Sequence, residues 1–112
     1  MTEEEWDFEE QRADTEMTVA QLIEETELTG ESVITLDLEF VPEDEGADTA
    51  AFVKALESFG YLASATDPDG RVDVSVLDIP FTVEAIWTHE ERTSKIALAR
   101  GFLPDGWGFW EP

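Results

Sequence analysis

The chain has 112 residues, enough for one domain with its own core, and carries 28 acidic against 6 basic residues, a net charge of −22. That sign excludes direct binders of nucleic-acid backbones and of anionic membranes, which need clustered cations, and favours rapid association with a basic partner. With no cysteine there is no disulfide framework, thiolate metal site or cysteine nucleophile, and no apolar run approaches the roughly 20 residues of a membrane span.

The acidity is uneven. Eighteen of the carboxylates precede Thr49, where Arg12 is the one basic residue. Residues 1–13 read as an acidic arm, either loose or the frayed start of a helix, because like charges this dense resist compaction. Trp6 and Phe8 within it either dock on a partner or fold back on the domain. The opening Met1-Thr2-Glu3-Glu4-Glu5 is unlike a secretory signal, so a cytoplasmic location is expected. Adaptation of the surface to a saline host is a second explanation of the charge.

A single domain is expected over 14–112. From Asp14 to Glu25 the spacing of Met17, Ala20, Leu22 and Ile23 is helical. Thr29-Gly30 ends that helix, and Ile34, Leu36, Leu38 and Phe40 then alternate with polar residues as a half-buried strand, closed by Pro42. Glu43 to Ala47 form an acidic loop. Phe52, Ala55, Leu56 and Phe59 fall on one helical stripe, with Asp48 or Thr49 as its cap and Gly60 as its end. Tyr61–Thr66, the turn signal Asp67-Pro68-Asp69-Gly70, and Val72, Val74 and Val76 make a β-hairpin. Beyond it Leu77, Ile79, Phe81, Val83, Ala85 and Trp87 alternate on the opposite parity, which a bulge near Leu77 explains, although Pro80 argues for a strand end. A last helix is expected from Thr88, capped by Thr88 and Glu91, through Arg100 to Gly101.

The order is helix, strand, helix, strand, strand, helix, strand. Without the first helix this is βαββαβ, a ferredoxin-like split βαβ of the α+β class: a four-stranded antiparallel sheet with two helices on one face, plus an extra N-terminal helix. The other face of the sheet is left to solvent, to the acidic arm or to a partner.

The segment Pro104-Asp105-Gly106-Trp107-Gly108-Phe109-Trp110 is the most telling. Asp-Gly supplies the positive φ of a tight turn or bulge. In a strand beyond it Trp107 and Phe109 share one face, while Gly106, Gly108 and Trp110 share the other. Two bare backbone positions beside an aromatic ring let a partner approach closely. The candidate partner surface is therefore Trp6, Phe8, Asp105, Gly106, Gly108 and Trp110, with Trp87 and Trp107 assigned to core packing.

Asp105-Gly106-Trp107-Gly108 followed by aromatics resembles the RraB family, small acidic bacterial regulators of ribonuclease E. Glu9-Glu10-Gln11-Arg12 with the apolar run Met17, Val19, Leu22 and Ile23 is similar too, as is the helix Ala51–Phe59 ending in Gly60-Tyr61. The resemblance spans the whole chain in order and implies the same α+β architecture. It also implies inhibition by protein–protein contact, through binding to the scaffold region of ribonuclease E.

Catalysis is not expected. The one histidine, His89, falls beside Glu90 and Glu91 and reads as a surface residue in the first turn of the last helix. Carboxylates are too many for their spacing to single out a pair, and no phosphate-cradling loop or nucleophile triad is present. Glu43-Asp44-Glu45 and Asp67/Asp69 offer oxygens to divalent ions without the spacing of a calcium loop, so no metal or cofactor is assigned. The rival to a regulator is a nucleic-acid mimic or nuclease-immunity protein whose acidic face blocks a basic groove.

Overall fold

A computed structural model describes residues 2–66 and 70–110, the side chain of Thr66 excepted. In chain order the elements are α1 (Phe8–Glu25), β1 (Val33–Pro42), α2 (Thr49–Ser58), β2 (Leu62–Thr66), β3 (Arg71–Pro80), α3 (Val83–Leu98) and β4 (Phe102–Trp110). The strands pair antiparallel in the order β2-β3-β1-β4. This is the ferredoxin-like split βαβ with an additional N-terminal helix. The turn residues Asp67-Pro68-Asp69 lie outside the described residues.

The core forms where the alternation of β1 meets the helices. Ile34, Leu36, Leu38 and Phe40 all point inward and are fully buried, as are Val72 and Val74 of β3, Phe52 and Leu56 of α2, and Ile86 of α3. Phe52 stacks at an angle on Phe102 and meets Phe40 edge-on, so three rings join α2 to the two strands beneath it. Asp48 caps α2 by accepting from the Ala51 amide. Phe59, expected to complete the α2 stripe, is instead 60% exposed. It sits at the C-cap, where Gly60 at φ 87° turns the chain and delivers Tyr61 to the buried position.

The parity switch in β3 is a bulge. Ile34 pairs with Ile79 and Leu36 with Val76, so β3 holds one extra residue there, and Asp78 takes a positive φ of 54°. The strand stops at Pro80. The last helix then begins earlier than Thr88: Thr82 is its N-cap, accepting from the Ala85 amide, and Thr88 is already inside α3, its hydroxyl bonded to the Glu84 carbonyl. Arg100 falls beyond the end of α3 and donates back to the Ile96 carbonyl.

The first helix also starts earlier than the sequence spacing indicated. Asp7 caps it through the Glu10 amide, so residues 8–13 belong to α1 and not to a separate arm. Its buried side differs from the apolar one: Met17, Ala20 and Ile23 are exposed, whereas Thr15 and Val19 are buried, with Gln11 and Leu22 half-buried. The helix turns a partly polar face to α3 because a buried carboxylate awaits it there.

Candidate functional site

Along β4 the Asp-Gly pair is a bulge within a continuous strand. Glu39 pairs with Gly106 and Phe40 with Pro104, leaving Asp105 as the extra residue, and Gly106 adopts φ 117°, a conformation side chains resist. Trp107 and Phe109 beyond it pack against the core, whereas Gly106, Gly108 and Trp110 are exposed. Trp87 is buried as expected.

The outward face of the sheet is thereby laid out in rows. Asp37 stands between Ser75 and Gly108, and Glu39 between Asp73 and Gly106. A Cβ placed on Gly106 or Gly108 would meet nothing within 4 Å. Trp110 is 68% exposed, and its indole N–H donates to Asp37 Oδ2, while Ser75 donates to Asp37 Oδ1 at 2.8 Å. Arg71 bridges Glu39 at 3.2 Å and Asp105 at 3.0 Å. The face thus combines Asp37, Glu39, Asp73 and Asp105 with one guanidinium, and exposes Leu62 and Leu77 farther along the sheet. Asp105, Gly106, Gly108 and Trp110 come together here.

Trp6 and Phe8 do not join them. Both are half-buried on the helical layer. Trp6 Nε1 donates to Gln11 Oε1 at 2.8 Å, and Lys95 lies 5.8 Å from the Phe8 ring centre while pairing with Glu3 at 3.8 Å. Of the two outcomes open for these rings, the structure takes the fold-back.

Their fold-back builds a second feature that sequence reasoning missed. A cleft of about 520 Å³ opens between α1 and β4, with Trp6, Trp107 and Glu90 of α3 among its lining. Two relays converge on that carboxylate. Trp107 Nε1 donates to Thr15 Oγ1 at 3.2 Å, and Thr15 donates to Glu90 Oε1 at 2.6 Å. Trp6 holds Gln11, whose Nε2 donates to Glu90 Oε2 at 3.2 Å and to Ser94 Oγ at 3.1 Å. Glu90 is only 5% exposed, and its pKa rises to about 7 because burial outweighs the hydrogen bonds from Thr15 and Gln11, with the Asp14 charge adding to the rise.

His89 is not the surface residue of a first turn. It is half-buried in the second turn of α3, its Nδ1 2.9 Å from the Tyr61 hydroxyl, which accepts from Arg92 at 3.3 Å. Burial, then the Arg92 charge, lower its pKa and favour the neutral ring. Among the described residues no group of three or more acidic or histidine side chains is placed to hold a metal ion. No helix among them is long and apolar enough to cross a membrane.

No family model matches this chain, and no curated protein matches it either.

Proposed function

We propose that this protein is a non-enzymatic acidic regulator that docks a basic segment of a larger protein on the outward face of its sheet, along β4. The observation that carries the reading is the exposed Trp110 beside bare Gly106 and Gly108, ringed by Asp37, Glu39, Asp73 and Asp105. An exposed ring is a common interface anchor, and carboxylates around it select cationic partners and speed their arrival. The bulge at Asp105 keeps the strand continuous while leaving its backbone open at two positions, close enough for a main chain to lie against it.

The resemblance to the RraB family makes an arginine-rich segment of ribonuclease E, in the cytoplasm, the first partner to test. Masking such a segment would alter RNA processing without any contact between this chain and RNA. The test is titration of the protein with ribonuclease E scaffold segment and catalytic domain separately, over a salt series. Salt-weakened binding to the scaffold, reduced by Trp110→Ala, is the expected result. Binding to the catalytic domain alone, in competition with RNA, would replace this reading with that of a nucleic-acid mimic.

A further inference from the structure

We propose that the cleft between α1 and β4 is a socket for one organic cation, the guanidinium or ammonium group of an arginine or lysine side chain from the basic partner. This rests on the reading that the partner is basic, and adds a specific side-chain site beside the open sheet face.

Three features of the cleft point to that ligand. Its lining includes two indole rings whose N–H groups are already committed to Gln11 and Thr15. What the rings still offer is carbon surface and π density, which suits a delocalised cation and its alkyl stem. Its lining contains Asp7, Glu10, Asp14 and the buried Glu90, and among the described residues no cationic side chain. Yet no three of these carboxylates converge as a metal site requires. A compact hard ion is therefore poorly served, whereas a planar or alkylated cation can be met by both carboxylates and ring surface.

Glu90 gives the socket a signature that simple surface attraction lacks. Its two oxygens already accept from neutral donors, and burial opposes its ionisation. The charged group facing it from α1 is Asp14, with Asp7 and Glu10 along the same wall, and β4 contributes Pro104, Gly106 and Trp107, none of them titratable. Every facing charge is negative, so the free cleft favours the protonated carboxyl. A bound cation reverses that preference, and the proton leaves Glu90 for the buffer as the ligand binds. Binding is consequently tighter at higher pH, by about tenfold between pH 6 and 8 for a carboxyl that titrates near 7 and must ionise.

The experiment uses Nα-acetyl-arginine amide as probe, followed by tryptophan fluorescence and by calorimetry in two buffers of different ionisation enthalpy. The intact protein is expected to bind it with proton release and with that pH dependence. Glu90→Gln, checked for folding by circular dichroism, is expected to bind more weakly and lose the pH dependence, while Met17→Ala, at an exposed position of α1 outside the cleft, binds the probe unchanged. The proposal is overturned if the folded protein ignores the probe, or if Glu90→Gln binds it with the parent's affinity and pH profile. An arginine-rich peptide that still binds through Trp110 in that case would leave the sheet-face reading standing without the socket. A probe that binds the cleft while no basic peptide binds at all would instead refute the sheet-face reading.

Discussion

Neutralising Glu90 should make this protein more stable above neutral pH, although the residue is buried and hydrogen-bonded. Its carboxyl has a pKa of about 7 when folded against an ordinary 4.5. Below 4.5 it is protonated in both states and costs nothing. Between 4.5 and about 7 the unfolded chain ionises first, so stability falls as pH rises, and above 7 the full penalty persists. That interval corresponds to about 3–4 kcal/mol, at roughly 1.4 kcal/mol per pH unit. Glutamine in the same place reproduces the protonated group, with one acceptor for Gln11 or Thr15 and one donor for the other side of the network. Urea unfolding of parent and Glu90→Gln at a series of pH values from 5 to 8 isolates the term, since other carboxylates titrate alike in both proteins. The variant should gain on the parent as pH rises, by about 2–3 kcal/mol across the range. A difference that stays flat from pH 5 to 8 would refute the argument that burial governs this carboxyl.

Thr82→Ala should cost about 1 kcal/mol by removing the α3 cap, and Thr88→Ala much less, a comparison that thermal unfolding can make. Gly106→Ala should destabilise by about 1–3 kcal/mol because of its φ of 117°. Gly108→Ala should leave stability within about 0.5 kcal/mol and still weaken binding of an arginine-rich peptide, since its new methyl projects into open space on the docking face. Added salt should raise the urea midpoint, because screening relieves repulsion within a chain of net charge −22.

Where the pattern had a clean period, the sequence was a sound guide. β1 alternates over Ile34 to Phe40 and is buried in that alternation, and the opposed parities of Val72–Val76 and Ile79 marked a real bulge. Trp110 could be assigned to the exposed side because Trp107 and Phe109 occupy the other parity of the same strand. The start of α3 was hidden because Val83, Ala85 and Trp87 fit a strand's alternation while Val83, Ile86, Trp87 and Glu90 fit a helical stripe. Only Thr82 following Pro80 hinted at the choice. The Glu90 network was illegible for a different reason. Gln11, Thr15 and Glu90 are polar, so each counts against a buried face when read alone. Their partners lie 75 and 79 residues away in sequence. Had Glu90 been placed in register with Ile86, Thr93 and Ala97 on one face of α3, its burial would have been the signal.

Regulation of this kind requires a basic segment to bind the outward face of the sheet. The most direct test is an amide chemical-shift map of the protein titrated with an arginine-rich peptide. Changes concentrated at Asp37, Glu39, Gly106, Gly108 and Trp110, and fading with salt, are predicted. Changes confined to α2 and the outer side of α1, or none at all with the protein folded, would contradict it.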